Sequence, residues 1–176
     1  MKRVPKSSLR VIHLSNDLAQ ETARLLNSFA TERPSEGVVY WFGIEGPGIA
    51  VVTTLIIPDA DTRYGSIHTS EQANGEVVSA LVGTPLVYLG QAHSHPGSHV
   101  SHSPIDDQHT FARCDGIISV VVPWFGRYGL DVEVCGIYRH ENGHFQQVRD
   151  IQAHLRIVPG LTDLRAQDNE GRRDGN

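Results

Sequence analysis

A single mixed β-sheet flanked by helices, in the α/β (α+β) class, is the fold this sequence predicts. Three observations lead there. The chain has 176 residues, a length that suits one domain with a substantial buried core. Segments of helical periodicity interleave with β-branched and aromatic runs. Such interleaving builds helices against a sheet.

The elements follow in order. SNDLAQETARLLNSFATE (15–32) places Leu18, Thr22, Leu25, Leu26 and Phe29 at helical spacing. Ser15 or Asn16 can cap its start, and Pro34 stops it. GVVYWFG (37–43) is a strand, IEGPG (44–48) a turn, and IAVVTTLII (49–57) the returning strand of a hairpin. A polar loop, PDADTRYGSIHTS (58–70), precedes a helix over 70–82 that Gly83 and Pro85 end. LVYLGQAHSH (86–95) begins as a buried strand and carries histidines at its end. Ser103 starts a helix through Arg113. DGIISVVVPWF (115–125) and LDVEVCGIYRH (130–140) are strands, and HFQQVRD (144–150) returns after the turn ENG. The polar stretch LTDLRAQDNEGRRDGN (161–176) has no aromatic residue. Residues 1–158 are therefore expected to form the domain, and 159–176 a tail that is mobile or dependent on a partner.

Composition narrows the function. Hydrophobic residues make up 39% and charged residues 20%, as in ordinary globular domains. The net charge of −5 gives no broad attraction to phosphates, so no nucleic-acid partner is expected. The basic start MKRVPKSSLR is followed by no apolar segment of a secretory signal. The longest apolar runs, near 49–57 and 117–125, are too short for membrane helices. A cytoplasmic protein is the default expectation. Cys114 and Cys135 form no CxxC pair and are expected to be buried packing residues, with no disulfide implied.

The chemistry concentrates in HSHPGSHVSHSPIDD (93–107). His93 and His95, two apart on a strand, point to one face and can chelate one ion. Ser103, Pro104 and Asp106 make a good helix start and need do no more than cap it. The HxH pair just upstream shifts that reading: a turn from strand end to helix start can bring Asp106 beside the imidazoles. Two imidazoles and a carboxylate suit zinc, and three protein ligands leave a position for water. His99 and His102 lie in the intervening loop, where they either space the ligands or compete for metal. His13, His68, His109, His140, His144 and His154 occupy scattered contexts that suit solvent or ordinary hydrogen bonds. Asp59 and Asp61 read as solvated loop acids, and Asp107 as solvated.

His93-x-His95, seven residues, then Ser103-x-x-Asp106 resembles the JAMM motif of the MPN-type zinc metallopeptidases, bacterial JAB-type proteins among them. The resemblance implies an MPN/JAB-like, cytidine-deaminase-like architecture. It implies one zinc per chain held by His93, His95 and Asp106. It also implies a catalytic glutamate at the start of an upstream strand. Glu36 fits that place; Glu45, in the hairpin turn, and Glu32, at the helix end, compete for it. Ser103 would orient water or stabilise an oxyanion.

The activity implied is peptide or isopeptide hydrolysis after the C-terminal Gly-Gly of a ubiquitin-like modifier, in deconjugation or precursor processing, as in bacterial conjugation or defence systems. The partner is then a ubiquitin-like protein or its conjugates, and the loop 58–70 is a candidate wall of the groove for its tail. Processing of a sulfur-carrier C-terminus would use the same site. A non-catalytic MPN-like scaffold would not need Glu36, His93, His95, Ser103 and Asp106 together. A RadC-like role in DNA repair draws no support from the acidic charge. A zinc nucleobase deaminase would need HxE with PCxxC, which the chain lacks.

Overall fold

The run Val38-Val39-Tyr40-Trp41-Phe42 is buried throughout, at 0–4% exposure, so both faces of its strand must be covered. The computed structural model describes residues 10–31, 33–103 and 110–160. In chain order these form β1 (Val11–Ser15), α1 (Asn16–Ser28), β2 (Val38–Gly46), β3 (Ile49–Ile56), β4 (Ala60–Arg63), β5 (Ser66–Thr69), α2 (Glu71–Leu81), β6 (Val87–Ser94), β7 (Ile118–Val122), β8 (Gly136–Glu141), β9 (His144–Gln147) and β10 (Leu155–Val158). Eight strands make one mixed sheet in the order β10-β1-β3-β2-β6-β7-β8-β9, and β4 and β5 make a separate ribbon.

The central strand β2 sorts its side chains by parity. Val39 and Trp41 join Ile12, Leu14, Leu89, Val120 and the α1 residues Ala19 and Leu26 in the larger core. Val38, Tyr40 and Phe42 join Val77 of α2, with Tyr88 and Phe111 packed beside them, on the opposite face. The two buried polar ends on β2 are both satisfied. The Trp41 indole N–H donates to Thr22 Oγ1 of α1 at 3.3 Å. The Tyr40 hydroxyl lies 3.1 Å from Thr69 Oγ1 and 3.0 Å from Asn74 Oδ1, tying ribbon and α2 to the sheet. Burial pushes the Tyr40 phenol up to about 12, so it stays protonated there.

The predicted class holds, and both helix starts are where capping chemistry puts them. Ser15 Oγ accepts from Leu18 N–H and Ser70 Oγ from Ala73 N–H. Helix α1 stops at Ser28, several residues before Pro34. The segment 58–70 is no loop: Asp61 pairs with His68 and Thr62 with Ile67 across the β4–β5 ribbon. Strand β8 begins only at Gly136, because Asp131 makes a turn instead. Its Oδ1 accepts from Glu133 N–H, and its carbonyl accepts from Val134 and Cys135. That local capture by an aspartate outcompetes the alternation of LDVEVC. Thr110–Arg113 are not helical, so the helix expected from Ser103 does not reach Arg113; residues 104–109, and with them most of that helix, lie outside the described residues. The tail from 161 also lies outside them. Both cysteines are free thiols, but Cys114 is exposed and Cys135 only half-buried, contrary to the expected burial. Among the described residues no helix is long and apolar enough to cross a membrane.

Candidate metal centre

The site is built by the pairing of β2 with β6. Val38 pairs with His93 in an antiparallel register. One step further, Gly37 N–H donates to Ser94 Oγ at 3.0 Å, while Ser94 N–H donates to the Gly37 carbonyl at 3.0 Å. Glu36 directly precedes Gly37, just before β2 begins, and His95 directly follows Ser94, so the two flank this contact in sequence. Glu36 is 5% exposed. Its backbone N–H donates to the Arg63 carbonyl of the ribbon at 2.8 Å. Thus the ribbon holds the Glu36 backbone, and Ser94 of β6 holds that of its neighbour Gly37.

His93 on β6 and His95, one residue past its end, bring their rings together. His93 is 3% exposed and His95 half-buried. Their ring centroids lie 5.1 Å apart with planes inclined at 59°. His95 Nδ1 lies 2.9 Å from the His99 carbonyl oxygen. A carbonyl only accepts, so Nδ1 carries the proton and, in the neutral ring, Nε2 carries the lone pair. With Zn–N bonds of about 2.0–2.1 Å and near-tetrahedral angles, two imidazoles on one zinc have centroids about 5 Å apart. The observed spacing and the tautomer of His95 both fit such an ion.

Beyond Ser94 the chain leaves the sheet under firm control. His95 N–H donates to the Val122 carbonyl at 2.9 Å, extending the parallel β6–β7 pairing by one residue. A strap after β7 then reaches back: Trp124 N–H donates to Gly97 O at 3.0 Å and Phe125 N–H to His95 O at 2.8 Å. Trp124 and Phe125 both adopt positive φ, 50° and 56°. That conformation costs roughly 1–2 kcal/mol for each L-residue. Nothing in the local sequence announces this strap or the Ser94 clamp.

The other residues singled out by the sequence fall as follows. Ser103 is half-buried at the end of the loop. Asp106, Asp107 and His109 lie outside the described residues, as does Glu32. Glu45 sits at the opposite end of β2, paired with Ala50 and in an ion pair with Arg10, away from the histidines. Among the described residues no three of His, Cys, Asp and Glu gather as a metal-binding group. Asp61 pairs with Arg63 at 3.0 Å. His140 is buried with Nδ1 3.2 Å from Asp115 Oδ1, and His154 Nδ1 lies 3.3 Å from Arg139 Nη1. His13 and His68 are strand residues in β1 and β5, and His144 Nε2 lies 3.1 Å from Gln146 Nε2 on the exposed side of β9.

Comparison with known proteins adds to this picture. No family model matches the chain. It is 29% identical over 139 residues to a protein of Sinorhizobium fredii named probable metalloprotease y4jG, an alignment covering 74% of this chain and 82% of that one. Among solved structures, the solution structure of protein DSY2949 from Desulfitobacterium hafniense matches with a TM-score of 0.62 at 14% identity, over 86% of this chain and 95% of that one. A JAB1/MPN domain protein from Archaeoglobus fulgidus, AF2198, matches with a TM-score of 0.46 at 16% identity, over 84% and 98%. DSY2949 shares the fold. The likeness to a metallopeptidase family, read from the motif, is borne out by the sequence relative.

Proposed function

We propose that this chain, a JAMM/MPN-like relative of a probable metalloprotease, is a zinc peptidase that hydrolyses the bond after the C-terminal Gly-Gly of a ubiquitin-like protein. The observation that carries the proposal is one juxtaposition. Two imidazoles stand 5.1 Å apart at the end of β6, and a buried glutamate, Glu36, adjoins Gly37, whose N–H is clamped to Ser94 between those two histidines.

His93, His95 and Asp106 would hold one zinc per chain. Zinc, when bound, lowers the pKa of a water in its open position from about 15.7 to about 7 and polarises a carbonyl. The Glu36 carboxylate takes the proton of the attacking water and returns it to the leaving nitrogen, a relay a positioned side chain speeds by about 10²–10⁴-fold. Burial keeps bulk water from competing for that carboxylate. The Ser103 hydroxyl donates to the oxygen of the scissile carbonyl as charge develops there, a contribution of about 3–4 kcal/mol for one well-placed donor. His95 is held in the useful tautomer by the His99 carbonyl.

The ribbon supports the choice of substrate. Its Arg63 carbonyl holds the Glu36 backbone, so with Glu36 as the base the ribbon would stand beside the reacting bond. A Gly-Gly tail has no side chains to clash with such a wall and can lie along it as an extended strand.

The test uses fusions of ubiquitin-like proteins, and in parallel a sulfur-carrier protein, to a reporter. Wild type is expected to release the reporter after Gly-Gly. Glu36→Gln is expected to lose cleavage while keeping metal, and His95→Ala to lose both. Normal cleavage by Glu36→Gln would refute the assignment of the base. Absence of cleavage after Gly-Gly in every fusion, by a zinc-loaded enzyme that cuts other peptides, would refute the substrate.

A further inference from the structure

Between the two halves of the motif lie residues that spacing alone marks as filler, yet the structure ties three of them down. The His99 carbonyl meets His95 Nδ1 at 2.9 Å. The Val100 carbonyl accepts from the Tyr138 hydroxyl at 3.1 Å. His102 Nε2 lies 3.0 Å from the hydroxyl of Ser119, a fully buried residue of β7.

His102 makes the broadest contact of the three. Its ring meets His93 at 5.6 Å with planes at 74°, edge to face. It packs against Tyr138 of β8 at 4.9 Å and Phe145 of β9 at 4.8 Å. One loop residue thus lies across four neighbouring strands, with its side chain against a proposed ligand and its backbone bonded directly to Ser103.

We propose that His102 is a positioning residue of the metal centre: its ring sets the plane of His93, and its tether to Ser119 sets the backbone that leads into Ser103. The inference rests on the zinc peptidase reading. An imidazole ligand binds along one lone-pair direction, so a wall that stops the ring from turning raises affinity without touching the ion. Histidine suits this place because one side chain supplies an aromatic face and a nitrogen for Ser119. Phenylalanine would supply only the first, and glutamine only the second.

The experiment compares His102→Ala and His102→Phe. Zinc affinity is measured by competition with a chromophoric chelator. His102→Ala is expected to bind about 10–100-fold more weakly, and His102→Phe to remain within about threefold of wild type. In turnover, His102→Phe is expected to lower kcat at unchanged KM, because Ser103 loses its anchor. A second arm needs no metal: imidazole NMR of the metal-free protein. The His93 ring resonance is expected to move and broaden in His102→Ala, and to stay sharp in His102→Phe. Should His102→Ala not fold, His102→Leu takes its place as the ringless variant of similar bulk. An unmoved His93 resonance in the ringless variant overturns the proposal. So does His102→Phe binding zinc as weakly as the ringless variant. A wild type that takes no zinc breaks the zinc reading, while the NMR arm still decides for His102.

Discussion

Removing one oxygen at Ser94 should loosen the hinge on which Glu36 hangs. Ser94 is fully buried, and its Oγ accepts from Gly37 N–H at 3.0 Å across fifty-seven residues of chain. Ser94→Ala leaves that N–H without its side-chain acceptor, in a place water does not reach. An unsatisfied buried donor costs about 1–3 kcal/mol. For a chain of this size each kcal/mol lowers Tm by roughly 2–4 °C, so the melt should fall by roughly 2–12 °C. Urea unfolding of metal-free protein, with chelator present to remove binding linkage, should show a lower midpoint at unchanged m. The same variant should lose more activity than stability explains. Gly37 adjoins Glu36, and a misplacement of about 1 Å can cost about 10²-fold in rate. A destabilisation below about 0.5 kcal/mol with unaltered kcat would refute the reasoning.

Three further outcomes follow from the packing and the charges. A Cβ on Gly90 would stand 2.1 Å from the Ile118 carbonyl, so Gly90→Ala must part β6 from β7; circular dichroism melts should show several kcal/mol of destabilisation, of the order of core overpacking or more. Cys114 is exposed, whereas burial pushes the Cys135 thiol up to about 12. A thiol reagent at neutral pH should therefore modify Cys114 promptly and Cys135 only in denaturant, as mass spectrometry of peptides will show. Burial first, and then the Arg139 charge, lower the pKa of His154 below its ordinary 6.5. The unfolded chain then binds the proton more readily, so this contribution is complete above about pH 6.5 and is lost as pH falls through the lower folded value. Denaturant midpoints should drop on acidification over that window, and His154→Gln should flatten the drop.

How much of this was legible in the sequence depended on whether the forces were local. The strand GVVYWFG announces itself because both its faces are apolar, and Ser15 and Ser70 cap the helices as short-range chemistry requires. The HxH pair is legible for the same reason: two residues apart on a strand means one face. The ribbon was not legible. Asp61, Thr62, His68 and Thr69 put polar groups on both of its sides, and a strand without an apolar face looks like a loop. Nor were β1 and β10, two short strands whose parallel pairing, Ile12 with Leu155, joins opposite ends of the domain. Within the site, the contact of Gly37, next to Glu36, with Ser94, next to both histidines, depends on register between β2 and β6, which no local pattern encodes. The loop residues His99 and His102 read as spacers because their partners, His95 and Ser119, become neighbours only in the folded sheet.

Whether His93 and His95 hold a metal decides the function of this chain. The most direct measurement is zinc content after purification without added zinc, followed by titration of the stripped protein. About one zinc per chain is predicted for wild type, as a three-ligand site with an open position requires. His93→Ala and His95→Ala should each take up little or none at the same zinc concentration, with the fold retained by circular dichroism. A wild type that carries no zinc and binds none on titration, or variants that bind it as tightly as wild type, would contradict the account.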